Sequence, residues 1–585
     1  MFDRRESFDR REVLRLAGRG LAVLGAGGLA AGGLAGCGGD DDDGPGRPGG
    51  VDEGTPSERD WQRLSEQLSG RLVRPGSDEY STALQLFDPA FDRIQPQAVA
   101  YCASASDVAL AVGFARSAGI ALAARSGGHS YGGYSTTTGL VIDVSTLNEV
   151  RPGNRSGLGV AASGGATAGS GVATVGAGAP LVDVYDQLIQ AGAMIAAGSC
   201  PTVGIAGLTL GGGIGVLGRR HGLTCDQLLA AEVVLASGEI VQVDAERDAD
   251  LFWALRGGGG GNFGVVTSFT FATHPATPLT VFSYRWPWDV AAEVVAAWQD
   301  WNLGADAPDE LWSTCVVTTT TGSDGKGTPA IRVSGVLSEP GGSTTGTGTS
   351  SGATGTGGGA GSRTALGGSA GSTVAAPARD LLAHLVDAVG SRPASTFAAQ
   401  RGPLEAMLIE GGCSGRSVAQ CHLAGRHPDG TLQRAAQLAA SNFLTARLPA
   451  AGTEAVLAAV EARQRETGLR SGGVILDSWG GAIGQVGPQD TAFVHRDVLA
   501  SAQYVAGYDI GDSAELKARN AEWLRATTVR MSPYVAESAY QNYIDPELRS
   551  WEKAYYGSNL ARLRSVKRAY DPDNVFAFAQ SIRPA

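Results

Sequence analysis

"AARSGGHSYGGYST", Ala123–Thr136, sets one histidine between two glycine pairs, directly behind the apolar run Gly119–Ala124. Read outward, the stretch sits at the end of a predicted strand. "SASDVALAVGFARSAG" before it has helical spacing, with Ser106 as the candidate N-cap and Gly119 as its stop. "IALAAR" follows as a strand, and "LVIDVSTLNEV" and "GVATVGAGA" as further strands. Pro180 opens the helix "PLVDVYDQLIQAG" from a first-turn position. A second helix and strand set is expected through "CDQLLAAEVVLASGEIVQVD", and "SERDWQRLSEQL" reads as an amphipathic helix. From Pro275 the pattern shifts to longer strands and amphipathic helices such as "PWDVAAEVVAAWQDW".

The chain has 585 residues, more than one ordinary core accommodates, so two or more domains are expected. Its formal net charge of −12, with almost all positive charge carried by arginine, lacks the basic footprint of a nucleic-acid binder. The 86 glycines divide between tight turns and one low-complexity stretch, Gly341–Ser372, which cannot bury apolar area and is expected as a disordered loop.

The N-terminus reads as an address. Arg10 and Arg11 precede a glycine-rich apolar run, Leu21–Ala35, and resemble a twin-arginine export signal. That run is short of the ~20 residues that span a bilayer. It ends in "LAGC", which resembles a lipobox, so Cys37 is expected to carry a lipid as the sole membrane attachment, and "GGDDDDGPGRPGG" after it to be a tether. A cleaved signal without lipid, giving a secreted protein, is the alternative. Twin-arginine export carries folded proteins, which points to a cofactor inserted before export.

Three glycine-rich stretches need a ligand: "RSGGHSYGG", "GSCPTVGIAGLTLGGGIG" and "RGGGGGNFG". None forms the Gly-x-Gly-x-x-Gly turn of a single βαβ unit, and no lysine follows them as in a phosphate-binding Walker loop. Glycine there supplies bare backbone N–H groups and close approach, which suits a dinucleotide lying across several loops.

With "ADLFWALRGGGGGNFGVVTSFTF" and the closing "YDPDNVFAFAQSI", these stretches resemble the berberine bridge enzyme-like oxidases of the vanillyl-alcohol oxidase flavoprotein superfamily, over nearly all of Pro89–Ile582 outside the insert. The resemblance implies an α+β fold: a two-part FAD-binding domain and a substrate domain built on an antiparallel sheet covered by helices. The expected division is a signal at 1–37, a tether at 38–60, the FAD-binding domain at 61–276 and the substrate domain at 277–545, with the insert at 341–372. The segment 546–585 then completes the FAD domain.

The resemblance also implies that His129 and Cys200 both bond covalently to the flavin. The chemistry agrees, since a neutral imidazole and a thiolate are nucleophiles toward an electron-poor ring. The bland alternatives are a hydrogen-bonded loop histidine and a buried thiol. Arg125, Ser126, Gly127, Gly128, Ser130, Val203, Gly207, Gly212, Gly213, Gly215, Asn262, Gly264, Val265, Val266 and Asn574 complete the expected FAD contacts, and Val203 is the residue expected to leave O₂ access. "SAYQNYIDPEL" resembles the family's Tyr-x-Asn-Tyr-x-Asp motif, which makes Tyr543 the expected base with Tyr540 and Asn542 beside it; aromatic packing at a domain seam is the alternative. A strand there would put Tyr543 opposite to Tyr540 and Asn542 unless a bulge intervenes. Ala502 stands where some relatives carry a glutamate base, which favours alcohol oxidation over ring closure.

The expected activity is oxidation of an alcohol or hemiacetal, in a sugar or oligosaccharide, with O₂ reduced to H₂O₂. Tailoring of a secondary metabolite and a non-catalytic flavin-containing binding lipoprotein are the alternatives. After Cys37 and Cys200, five cysteines remain, so at least one is free; Cys413 with Cys421 is the expected disulfide. No second cysteine pair accompanies His422 and His427, so no metal site is expected.

Overall fold

The computed structural model describes residues 56–153, 171–304, 306–321, 327–338, 374–466 and 468–585. The export signal, the tether as far as residue 55 and the 341–372 insert lie outside them.

The first strands form a small sheet in the order Arg71–Val73, Ala98–Tyr101, Leu140–Asp143, Leu122–Arg125. The last three run parallel because helix Ala105–Ser117 crosses back between Ala98–Tyr101 and Leu122–Arg125. That helix is capped by Ser104 rather than Ser106: the Ser104 hydroxyl reaches Asp107 N, three residues on, as an N-cap must. The Asp107 carboxylate is then left to accept from Ser69, Gly70 and Ala103 N–H.

A second, antiparallel sheet follows in the order Val150–Gly153, Val172–Gly176, Val265–Ala272, Leu228–Val234, Ile240–Asp244. The expected helix in "CDQLLAAEVV" is instead a 3₁₀ turn, Thr224–Gln227, running straight into a strand. The strand is buried on both faces, so its unbroken apolar run carries no period of two to separate it from a helix. Pro180 is extended, at φ −72° and ψ 152°, and caps helix Leu181–Gln190 from outside its first turn.

The third sheet has seven antiparallel strands, ordered Ser395–Arg401, Leu279–Trp286, Gly327–Ser338, Leu311–Thr321, Gly472–Ser478, Ala500–Tyr508, Ala436–Leu444. Helices Ala291–Asn302, Ala376–Val389, Ala450–Arg465 and Ala514–Met531 cover one face. Trp298, Leu385, Val460 and Met531 from these helices share a core with Cys315, Val474, Leu476, Ala502 and Tyr504 from the strands. Each apolar side chain buried there contributes about 1.5–3 kcal/mol. Because strand residues alternate, Asp477, Gln503 and Ser501 point from the opposite face, toward the first two sheets.

The chain then returns to those sheets. Tyr555, Tyr556, Leu563, Val566, Phe576 and Ile582 pack in the core they form. A buried ion pair, Lys567–Asp571 at 2.6 Å, fixes this return. Lys567 Nζ also donates to the carbonyls of Asn262 and Phe576, and Asp571 accepts from Val575 and Phe576 N–H. Every charge-bearing atom thus has a partner, which makes a buried ion pair tolerable.

Candidate active site

The loop after strand Leu122–Arg125 and the loop before helix Ile205–Leu210 meet glycine to glycine. A Cβ on Gly127 would lie 2.3 Å from Gly204 N, and one on Gly204 would lie 2.4 Å from Gly127 N, so neither position admits a side chain. Gly128, at φ +71°, turns the first loop back over Leu86. The Ser126 hydroxyl donates to Ala177 O at 2.7 Å, and the second loop is held by Leu181 N to Val203 O and Val182 N to Pro201 O.

This contact brings His129 and Cys200 around one hydroxyl. Thr202 Oγ1 is 2.9 Å from His129 Nε2 and 3.9 Å from Cys200 Sγ. Phe87 stacks on the imidazole, with centroids 4.0 Å apart and planes at 19°. Burial, followed by the Arg426 charge, holds the His129 pKa down to about 3, so the ring is a neutral nucleophile. Burial raises the Cys200 thiol, although Thr202 and Val203 work the other way. Cys200 itself is nonetheless exposed.

The other expected cofactor residues divide by what occupies their side chains. A Cβ at Gly207 would meet nothing within 4 Å, so that helix face is open to the recess between the loops and the large sheet. Gly212 and Gly213 take φ of +113° and +88°. Arg125 lies beneath its loop, where Nε pairs with Asp143 at 2.5 Å and Nη2 donates to Ala83 O, while Nη1 is buried without a partner. Asn262 braces the glycine run through Gly258 and Gly259 O and accepts from Ile582 N. Gly215 lies against Ala197 O, and Gly264, at φ +154°, against Val234 O; Val265 and Val266 are core residues of their strand. The Ser130 hydroxyl accepts from Tyr134 N. Val203 is half-buried and packs against the core of the first two sheets. Asn574 takes φ +53°, and its Oδ1 is buried without a partner. Two nucleophilic side chains around one hydroxyl, beside an uncovered glycine face, are a donor set that fits a flat aromatic ring held by its edge.

The large sheet closes the recess from the other side. "QNY", Gln541–Tyr543, is a 3₁₀ turn rather than a strand, so Tyr540 and Tyr543 project from a bend and meet edge to face at 4.9 Å. The Tyr540 hydroxyl accepts from Gly213 N, Ile214 N and Asn542 Nδ2 at 2.9–3.0 Å. Tyr540 and Asn542, which also donates to Leu208 O, therefore tie the turn to the second glycine loop. Tyr543 stacks parallel to Tyr131 at 5.9 Å and 7°. The Tyr131 hydroxyl accepts from Gln503 Nε2 at 3.3 Å, and the Gln437 side chain also bonds it. Ala502, the position compared with a glutamate base, lies under the helices; the residue facing the recess is its neighbour Gln503, an amide with no basic form.

Sequence reasoning missed Asp477. It stands on strand Gly472–Ser478, is 7% exposed, and leaves Oδ1 without a partner. Burial pushes its pKa up to about 7, against the Trp312 indole, which favours the ionised form. Burial first, then Asp477, Tyr131 and Tyr540, drive the Tyr543 hydroxyl well above the ordinary phenol range. The available signal was one acid inside "GGVILDS", an otherwise apolar strand.

A parallel-and-antiparallel α+β half carrying glycine loops, roofed by a helix-backed sheet, with Tyr543 stacked on Tyr131 of the His129 loop, is the arrangement of an FAD-dependent oxidoreductase. The FAD binding domain family matches residues 96–244, and the berberine and berberine-like family matches 539–583. The FAD-linked oxidoreductase YgaK of Bacillus subtilis is 30% identical over 88% of this chain and 98% of its own. Chitooligosaccharide oxidase of Gibberella zeae is 28% identical over 84% and 88%. The solved structure of Physcomitrella patens BBE-like 1 superimposes with a TM-score of 0.72 at 27% identity, over 90% of this chain and 99% of that one. The chain belongs to the berberine bridge enzyme-like FAD-linked oxidoreductases.

Proposed function

We propose that the chain is an oxidase carrying FAD on both His129 and Cys200, and that it oxidises the hemiacetal or alcohol carbon of a sugar or oligosaccharide. The observation that carries this reading is Tyr543 paired with buried Asp477 over the two nucleophilic loops. Likeness to a chitooligosaccharide oxidase supports the substrate class. Bound FAD supplies a hydride acceptor whose electrons pass to O₂, yielding H₂O₂.

Tyr543 takes the substrate hydroxyl proton. Its own pKa is too high for it to rest as phenolate, so its proton must move on, and Asp477, poised near neutrality, is the acceptor beside it. Tyr131, held by Gln503 and Gln437, supplies a flat apolar wall with a fixed hydroxyl. Val203, small and three residues after Cys200, is the residue assigned to O₂ access. The Arg10–Arg11 pair and Cys37 extend the reading to export of the loaded protein and attachment at the cell surface.

Purified protein given a panel of oligosaccharides and alcohols in air is expected to release peroxide with sugars. Acid precipitation is expected to leave its yellow colour in the pellet. Anaerobic flavin left oxidised by every sugar refutes the substrate class, and free FAD in the supernatant refutes the double link.

A further inference from the structure

The His129 ring is not positioned by its own loop alone. Its stacking partner, Phe87, lies on the segment 85–92, and five contacts from 426–437, just ahead of strand Ala436–Leu444 of the large sheet, grip that segment. Arg434 Nε donates to Leu86 O at 2.6 Å, and its guanidinium forks onto the Asp92 carboxylate, one arm at 2.9 Å. Ala435 N donates to Phe87 O, Gln437 N to Asp88 Oδ2, and Arg426 to Gln85 O. Phe87 N closes the circuit on Gly128 O at 3.0 Å, beside His129.

We infer that Phe87, clamped by Arg434 and Asp92, is a positioning residue for covalent attachment of the flavin to His129. The inference rests on the proposed His129 link. Phe87 fixes the plane of the imidazole, and Thr202 fixes its rotation by engaging Nε2, so the opposite nitrogen is presented to the cofactor. In the linkage a methyl C–H of the flavin's dimethylbenzene edge and an imidazole N–H are replaced by one C–N bond. The two protons and two electrons released go to O₂, which leaves as H₂O₂. Such a step depends on near-attack geometry, and a ring free to rotate loses most of that advantage. Because the clamp comes from the segment that leads into strand Ala436–Leu444, seating of that segment on 85–92 is what holds the His129 ring ready for the link.

The test uses the full chain carrying Cys200→Ala, in which His129 is the only attachment point. The ratio of peptide-bound to acid-released flavin is measured together with total flavin. Adding Phe87→Ala is expected to leave total flavin unchanged and to lower the ratio by about 10-fold or more. Arg434→Met is expected to act in the same direction, and Phe87→Tyr, which keeps the stacked ring, to preserve the ratio. A normal ratio in Phe87→Ala overturns the inference alone. Absence of peptide-bound flavin in the Cys200→Ala parent removes the His129 link and the inference with it.

Discussion

The two walls of the recess hold their chemistry by different means. On the glycine-loop wall, backbone meets backbone: Gly127 against Gly204, Gly215 against Ala197, and Leu181 and Val182 N–H on the Cys200 loop. On the facing wall, side chains from distant parts of the chain meet: Tyr543 of the 3₁₀ turn stacks on Tyr131 of the His129 loop, Gln503 of the sheet holds the Tyr131 hydroxyl, and Asp477 of the sheet acts on Tyr543. A backbone-built wall tolerates almost no added atoms, but its single side chains are replaceable one at a time. The side-chain wall keeps its shape when one group changes and loses that group's function outright.

Tyr543→Phe should separate the walls most sharply. It keeps the ring and its two aromatic contacts while removing the proton acceptor, so anaerobic flavin reduction should slow by 10²- to 10⁴-fold, roughly 3–5 kcal/mol of barrier. Flavin content should not change, and a reduction rate within a few-fold of native would end the assignment.

Gly127→Ala is the converse change. One methyl carbon placed 2.3 Å from Gly204 N must push the two loops apart, at about 1–3 kcal/mol of overpacking. Denaturant midpoint and FAD content should both fall, whereas the reduction rate per bound flavin should hold. Full FAD content in a stable Gly127→Ala protein would mean that the glycine contact is not what sets the loops.

Asp477 is read through the pH dependence, where the range to be scanned is only about tenfold. Its basic form is the carboxylate, whose population grows as pH rises through about 7. Reduction by substrate should therefore climb about tenfold from pH 6 to its alkaline plateau, and Asp477→Asn should flatten that rise. An unchanged profile in the variant would move the ionisation elsewhere.

The same contrast decides what could be read beforehand. The glycines around His129 and Cys200 were legible because close backbone approach demands glycine at the very position of the contact, whereas the two nucleophiles themselves were singled out by the family resemblance. Mixed α and β was legible from the alternation of patterns, and the two-part arrangement with a helix-covered antiparallel sheet came from the family resemblance carried by those loops. Asp477 was not legible, since its meaning comes from Tyr543, 66 residues away in sequence and adjacent only through the sheet. The face taken by Ala502 was not legible for a related reason: a one-residue shift in a strand exchanges one face for the other, and the paired register of Ala502 with Leu476 and of Gln503 with Ile475 puts Ala502 under the helices. Tyr540 and Tyr543 looked like a strand because nothing in "AYQNYI" announces a 3₁₀ turn; three donors converging on the Tyr540 hydroxyl impose it. Arg125 sits in the motif as expected, yet its charge serves Asp143 below it.

The Lys567 bonds to Asn262 and Asp571 also set a clock. Lys567 follows Asn262 by 305 residues, and Ile582, which donates to the same asparagine, follows it by 320. At translation rates of about 5–20 residues per second, the glycine run waits roughly 15–60 s for the partners that brace it. During that interval the nascent chain displays strands whose covering residues have yet to be made. The bracing of Asn262 is therefore completed only when synthesis of the described chain is nearly over.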